Sequence, residues 1–519
     1  DIENASLYRL AVRHARRMPR TVRSLLRVMG ARGDDGSQLL SYLLFEAAYA
    51  ASPLCAPARF SMMAGQRAAS IGAFDNAAEF RSEIPTFAHY LRGAGYRTCL
   101  AGKMHFVGAD QLHGFEERVT TDIYPADFGW VPDWRFPEER IDWWFHNMLS
   151  VVQAGVAEQS NQLLFDDETA FQAERKLWQL ARTADAQPFF LCASFTHPHD
   201  PYACRQEHWD RFRHDDIDLP TVTLAPERMD PHSRRLRIVS DMDRYDLNDA
   251  RVRNARHAYY GSIAYIDDRL GALLRVLKET GRERDTVVVF CGDHGDMLGE
   301  RGLWYKMCWY EMAARVPLIV AFPGQLQARR VAAPVSLMDL LPTFGALATD
   351  GRGFDLAEPV EGEDLLAVAN DPRAASERMI AGDYCGEGTA APLVMLRQGD
   401  LKFLRQPGHP DQLFDLAKDP LELANLATAA SHAAVVARFD AEATRRWDFP
   451  ALTQQVLASQ ARRRLVHQAS MTGRHFSWDW QPQDPASLKY MRNHLDLNVL
   501  EAETRFPPPR EVAPDGKGA

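Results

Sequence analysis

A cysteine with proline two places on and arginine four places on, Cys55-Ala56-Pro57-Ala58-Arg59, could seat a nucleophile. Proline suits the first turn of a helix, and a helix N-terminus favours the thiolate. The same residues would serve an ordinary helix start around a buried thiol. Three further stretches carry reactive side chains: Gly102-Lys103-Met104-His105, then Thr196-His197-Pro198-His199-Asp200-Pro201, then Gly292-Asp293-His294-Gly295 with Leu298-Gly299-Glu300 and Lys306 beyond it. Lys103 and His105, two apart, fall on one side of an extended segment. They would pair a point charge for an anionic oxygen with a titratable imidazole. Prolines on both sides of His199 hold its backbone extended. Asp293 and His294 offer an oxygen and a nitrogen to a divalent cation, although an isolated Asp-His-Gly also reads as a turn with an Asx cap.

Such scattered groups need a scaffold that gathers them. The short apolar runs 96–100, 189–195, 286–291 and 316–322 read as strands buried on both faces. Over 256–280, Tyr260, Ile263, Ile266, Leu270, Leu273 and Leu277 recur at spacings of three and four, which predicts an amphipathic helix. Alternating strands and helices imply a parallel sheet covered on both sides, with ligands at the carboxyl ends of its strands. Three of the four stretches follow such a strand directly. From 350 to 377 the chain turns rich in Gly, Pro and Asp, and the runs 393–396 and 401–404 flank Gly399-Asp400 as a hairpin. A helical pattern over 432–447 follows, so a smaller C-terminal unit is expected.

At 519 residues the chain exceeds one ordinary core. Its net charge of -10 argues against a phosphate-backbone partner, and no apolar run reaches membrane-spanning length, so neither nucleic acid nor bilayer is expected. The cysteines form no CxxC pair, which leaves zinc ribbons and dense disulfide frameworks without support. Without a secretory apolar segment in view, a cytoplasmic location is expected. Residues 5–32 interleave Arg9, Arg13, Arg16, Arg17, Arg20, Arg23, Arg27 and Arg32 with small and apolar residues, as in a solvated arm or a targeting helix.

Taken in order, Cys55 with Arg59, the stretch 95–105, the stretch 196–201, and 292–300 with Lys306 resemble the signature elements of the formylglycine-dependent sulfatases. The resemblance covers most of the chain from Phe45 onward and runs closest to the choline sulfatases of that family. It implies an α/β, alkaline-phosphatase-like sandwich with a central, mostly parallel sheet and a smaller C-terminal α+β domain. The expected division is an atypical Arg-rich segment 1–44, a catalytic domain 45–365, a C-terminal domain 366–480 with a small antiparallel sheet, and an extended tail 481–519 docked on a neighbouring subunit.

The implied reaction is cleavage of choline-O-sulfate, a small-molecule sulfate ester, to choline and sulfate. By the same resemblance Cys55, oxidised to formylglycine, is the nucleophile, and Arg59 holds the oxidised side chain. Lys103, His105, His199 and Lys306 complete the catalytic set, while His197 is left as structural. Asp293 and His294, with the oxidised Cys55, are the implied ligands of calcium or another divalent cation. A quaternary ammonium has no donor and is recognised by aromatic faces and carboxylates. Trp130, His146, Asn147, Asp383 and Asp496 are the candidates, although the crowd of Tyr124, Trp130, Trp134, Trp143, Trp144 and Phe145 also suits a core. A homo-oligomer, dimer or tetramer, is expected, with Asp496 delivered to the neighbour's site.

Two rivals stay open: a phosphonate or phosphate ester hydrolase of the same superfamily, and a non-catalytic relative. The second arises because the family pattern places aspartates on an apolar first strand about forty residues before the nucleophile. Here that window holds Arg13, Arg16 and Arg17, and Asp34 and Asp35 stand too close to Cys55. Weak calcium binding and slow turnover are the expected consequence.

Overall fold

The run Tyr42-Leu43-Leu44-Phe45-Glu46-Ala47-Ala48-Tyr49 is apolar on both faces except at Glu46, and it becomes β1 (Tyr42–Tyr49), an inner strand. The computed structural model describes residues 42–141, 146–182, 187–371, 373–475, 477–482, 490 and 494–505. Trp143, Trp144, Phe145, Asp34, Asp35 and nearly all of the Arg-rich segment lie outside the described residues. β1 runs straight into α1 (Cys55–Ala64), every residue of which is buried. Then come α2 (Phe87–Gly93), β2 (Arg97–Gly102), β3 (Glu117–Arg118), α3 (Asn161–Arg182), β4 (Phe189–Ser194) and α4 (Asp249–Glu279). The larger unit closes with β5 (Val288–Cys291), β6 (Arg315–Val316), β7 (Leu318–Ala321), β8 (Arg329–Ser336) and α5 (Leu340–Ala348).

These strands form two sheets. One has the order β8-β1-β7-β5, with β6 pairing off β1; the other is β3-β2-β4. β1 lies parallel to β8, with Tyr49 opposite Ser336, but antiparallel to β7, with Leu43 opposite Val320. The larger sheet is therefore mixed, because the chain reverses between 291 and 318 without a crossover helix long enough to restore its direction. In the second sheet β2 is parallel to both partners. Both sheets share the same covering layers. Phe190 and Cys192 of β4 and Val289 and Cys291 of β5 pack with the core of α1, α2 and α5. Leu191 of β4 and Val288 of β5 face Leu273, Leu274 and Leu277 of α4 and Leu177 of α3.

The predicted helix over 256–280 begins earlier, at Asp249, where the Asn248 side chain accepts the Arg251 N–H and starts it. Beyond α5 a four-stranded antiparallel sheet follows, β9 (Met379–Tyr384), β10 (Leu393–Gln398), β11 (Leu401–Arg405) and β12 (Gln412–Asp415). Gln398 and Leu401 pair across the predicted hairpin. It is covered by α6 (Ala433–Arg446) and α7 (Phe449–Ser470), whose Phe439, Ala443, Leu452 and Val456 meet Val394, Phe403 and Leu413. Buried Arg463 of α7 grips Asp75 through both carboxylate oxygens, at 2.6 and 2.8 Å. That pair ties the last helices to the loop behind α1. A short α8 (Leu497–Thr504) ends the described chain and lies on α3, where Arg182 donates to the Thr504 carbonyl at 2.8 Å.

Candidate active site

Cys55 opens α1, wholly buried, with no side-chain cap before it. The Asn76 side chain accepts the Ala56 N–H at 3.0 Å and fixes the first turn instead. Around the sulfur stand His294 Nε2 at 3.1 Å, Lys103 Nζ at 3.8 Å and His199 Nε2 at 4.0 Å. Burial alone would raise this thiol, but Lys103, Lys306 and His294 outweigh it and hold it well below the ordinary thiol range. The other free thiols whose shifts stand out move the opposite way: burial pushes Cys99 and Cys291 up to about 12.

Lys103 and His105 do reach the site, but on a turn rather than an extended segment. Gly102 sits at φ 97° and His105 at φ 60°, and a side chain at Gly102 would collide with the Ser194 carbonyl. Asp122 holds this turn: its carboxylate accepts the N–H groups of Met104 and His105 at 3.0 and 2.9 Å and is bound by Arg118 at 2.6 Å. The His105 ring stands 4.9 Å from Tyr124 and 5.7 Å from Trp130, centroid to centroid. Lys103 lies over the Tyr124 ring at 4.7 Å.

His199 follows β4, as Asp293 and His294 follow β5. Lys306 Nζ meets His199 Nε2 at 2.5 Å, and His199 Nδ1 meets the Asp200 carbonyl at 2.6 Å. Burial and Lys306 hold the His199 imidazole neutral, down to about 4, so Nε2 accepts from the ammonium while Nδ1 donates. Asp200 binds His146 Nδ1 at 3.1 Å, and the His146 ring stacks on Tyr305 at 4.5 Å. Arg59 donates through Nε to Asp293 at 2.7 Å and through Nη1 to the Lys103 carbonyl and Ser194 Oγ. Despite burial, Arg59 and His294 hold the Asp293 carboxyl far below the carboxylate range. The buried Lys103 and Lys306 ammonium groups thus stand beside residue 55, with the Arg59 guanidinium bracing the groups around them, an arrangement suited to an anion.

The fit to calcium is poor. Cys55 Sγ, His199 Nε2 and His294 Nε2 converge as ligand atoms. A hard cation takes about six to eight oxygens. Two imidazoles, a sulfur and one carboxylate already gripped by Arg59 do not supply them, so the described residues alone do not fit the ion.

Trp130, His146 and Asn147 border the site: Trp130 packs 5.2 Å from Tyr124, and the Asn147 carbonyl accepts from Tyr305 Oη at 2.7 Å. Asp383 does not join it, and Asp496, expected at a neighbour's site, stands apart from this chain's own. Asp383 is buried within β9, where it accepts the Ala69 N–H at 2.9 Å and the Trp447 indole N–H at 3.0 Å, which makes it a tether between the C-terminal helices and the loop behind α1. Exposed Asp496 accepts the N–H groups of Asn498 and Val499 as the cap of α8. His197 pairs with buried Asp166 at 2.6 Å, a packing role.

Glu387, four residues past Asp383, is the carboxylate that sequence reasoning passed over. It is buried, one carboxylate oxygen has no hydrogen-bond partner in the fold, and it lies close enough to Lys306 and Cys55 to feel both. Burial pushes its pKa up to about 7. The signal available was position: a carboxylate in the loop after a strand is freer to face a ligand than one inside it.

Known proteins resemble the chain over most of its length. Residues 37–350 match the sulfatase family model, residues 454–506 the choline sulfatase C-terminal model, and residues 299–446 the N-sulphoglucosamine sulphohydrolase C-terminal model. A protein named choline-sulfatase from Rhizobium meliloti is 47% identical over 468 residues, covering 88% of this chain and 90% of its own length. An arylsulfatase from Clostridium perfringens is 28% identical, over 74% of this chain and 82% of its own. Among solved structures, a phosphonate monoester hydrolase from Silicibacter pomeroyi superposes with a TM-score of 0.64 at 21% identity, covering 82% of this chain and 90% of that one.

Proposed function

The chain belongs to the sulfatase family, and from that premise we propose that it hydrolyses choline-O-sulfate to choline and sulfate, with Cys55 as the precursor of the nucleophile. The observation that carries the reading is the packing of Lys103, Lys306 and Arg59 around residue 55, within reach of an aromatic wall and the Glu387 carboxylate. Oxidised to formylglycine, residue 55 would supply the attacking oxygen. Lys103 and Lys306 hold the sulfuryl oxygens, and charge on them is stabilised by groups already fixed in place. Lys306, donating to neutral His199, stands where a proton would pass to the departing alkoxide. His105, held by Asp122, is placed to move a proton at residue 55, and Arg59 orients Asp293.

The cationic half of the ester is read by Trp130 and the Tyr124 wall through cation–π attraction, by Glu387 through charge, and by His146 and Asn147 at the rim. Divalent metal remains part of the family reading, but no step is assigned to it because the ligand set is incomplete. Assembly as a homo-oligomer belongs to the same reading, with Asp496 of one copy offered to another. No helix of the described residues is long and apolar enough to cross a membrane.

The test is paired initial rates of the purified protein on choline-O-sulfate and on a phosphodiester, with mass spectrometry of the peptide bearing residue 55. Preference for choline-O-sulfate with an aldehyde at residue 55 is the expected result. Faster phosphodiester cleavage would replace this reading with a phosphohydrolase, and inactivity with an intact thiol would leave a non-catalytic relative.

A further inference from the structure

The two residues flanking Lys306 both take left-handed backbone without being glycine, Tyr305 at φ 66° and Met307 at φ 72°. Such residues keep that conformation only where their surroundings hold the chain in place. Tyr305 is held by Asp296, whose carboxylate accepts its N–H at 3.1 Å, and by the Met297 N–H, which donates to its carbonyl at 2.6 Å. The Met307 N–H donates at 3.0 Å to the carbonyl of Pro53, two residues before Cys55. Among the described residues one group donates to the Met307 carbonyl, Nε2 of His232 at 2.7 Å.

His232 belongs to the helix Pro231–Val239, which the Asp230 side chain starts by accepting the N–H groups of His232 and Ser233. Its ring is buried, and its second nitrogen, Nδ1, stands 3.1 Å from the Gly388 carbonyl. Both ring nitrogens thus face carbonyl oxygens, while a neutral imidazole carries one proton. Burial holds the ring below its ordinary range and keeps it neutral, so the shorter contact takes the proton and Nε2 donates to Met307. The Gly388 carbonyl is supplied instead by Arg235 Nε at 2.9 Å, one turn along the same helix. Gly388 follows Glu387, whose own carbonyl accepts from Tyr384 Oη at 2.6 Å.

We propose, with Lys306 and Glu387 in the roles given above, that this helix sets the spacing between the two halves of the site: His232 is a positioning residue for Lys306, and Arg235 is one for Glu387. Each acts through the backbone carbonyl one residue past the group it serves. His232 and Arg235 stand three apart and so share one face of the helix, which fixes the Met307 and Gly388 carbonyls on a single rigid element. A sulfate ester bound at one end by the ammonium and at the other by the carboxylate needs that spacing held, because a shift of about 1 Å at either end misplaces charge against the ligand. The two bonds are separate, so removing one should loosen one end and spare the other.

The test is titration calorimetry of the full-length protein with inorganic sulfate and, separately, with choline. His232→Gln and His232→Asn carry the same amide one methylene apart: the longer reaches the place of Nε2, the shorter only that of Nδ1. His232→Asn should weaken sulfate about tenfold and His232→Gln should keep it within about twofold of the parent, with choline little changed in both. Arg235→Met should reverse the pattern, weakening choline about tenfold and sparing sulfate. Amide hydrogen exchange at Met307 needs no ligand: it should quicken about tenfold in His232→Asn and hold in His232→Gln. Equal weakening of both ligands in each variant, or equal sulfate affinity in the asparagine and glutamine variants, would overturn the proposal and leave the helix a packing element. A glutamine variant with weakened sulfate would refute it even if the asparagine variant did not fold. A parent that binds sulfate but not choline would overturn the choline reading and the Arg235 arm with it, while sulfate affinity and exchange at Met307 would still decide His232.

Discussion

Replacing Glu387 by glutamine keeps the shape of the side chain and removes its charge, which isolates the electrostatic half of the proposed choline recognition. The rise of its pKa from 4.5 to about 7 corresponds to roughly 3 kcal/mol of preference for the neutral form, set by burial. A cation arriving beside it favours the ionised form. At pH 6 about a tenth of Glu387 is ionised and at pH 8 about nine-tenths, so the Kd for choline should fall about tenfold between them. Glu387→Gln should flatten that profile and weaken choline at pH 8 by on the order of 2 kcal/mol, about thirtyfold. Titration calorimetry with choline reads this directly and needs no turnover, with inorganic sulfate as the control ligand, whose affinity should hold or rise when a nearby negative charge is removed. Stability supplies a second readout. An acid with a raised folded pKa contributes stability that is full below the unfolded value of 4.5 and is lost as pH rises through about 7. The glutamine variant should therefore gain in Tm over the parent at pH 8 and not at pH 5. A pH-dependent choline Kd that survives in Glu387→Gln would refute the assignment.

Trp130→Ala should weaken choline by roughly 0.5–2 kcal/mol, the worth of a cation–aromatic contact, while an aryl sulfate without a cationic group keeps its KM; equal losses on both would remove Trp130 from the cation subsite. Asp122→Asn frees the turn that holds His105 at φ 60°, so kcat should drop by about a hundredfold with KM little changed, and an unaltered kcat would show the turn holds itself. Arg463→Met leaves Asp75 buried without its partner and should cost about 3–5 kcal/mol in urea unfolding, partly restored by adding Asp75→Leu; a loss under about 1 kcal/mol would contradict the pairing.

The order of reactive stretches was legible in the sequence because each follows a short apolar run or opens a helix, and such boundaries survive in one dimension. Cys55, Arg59, Lys103, His105, His199, Asp293, His294 and Lys306 accordingly gather around one position, each touching Cys55 or a group beside it. Parallel pairing was legible from the alternation of strands and helices, but the reversed strands were not. The reversal at Leu318–Ala321 depends on where the chain turns after Lys306, and four apolar residues carry no sign of their orientation. β1 was hidden for a similar reason: Glu46 interrupts its apolar run, and only the structure reveals Arg330 Nε reaching that carboxylate at 2.6 Å. Asp383 and Glu387 lie in one acidic, glycine-rich stretch, so composition alone does not tell them apart. What separates them is the Trp447 indole and the Ala69 amide on one and no partner for an oxygen of the other, both set by contacts far along the chain. Asp496, expected at a neighbouring copy's site, caps its own helix in this chain.

The grip of Arg463 on Asp75 also sets a clock. Asp75 precedes Asn76, whose side chain seats the first turn of the nucleophile helix, so that turn is locked only when α7 has been made and packed. About 400 residues separate Cys55 from Arg463, and at ribosomal speeds of about 5–20 residues per second the interval lasts roughly 20–80 s. In the finished molecule the thiol is buried, out of a macromolecule's reach. A macromolecular oxidant of Cys55 would therefore have to work during that interval, on a chain still being born, and a variant that hastened docking of α7 would shorten its opportunity.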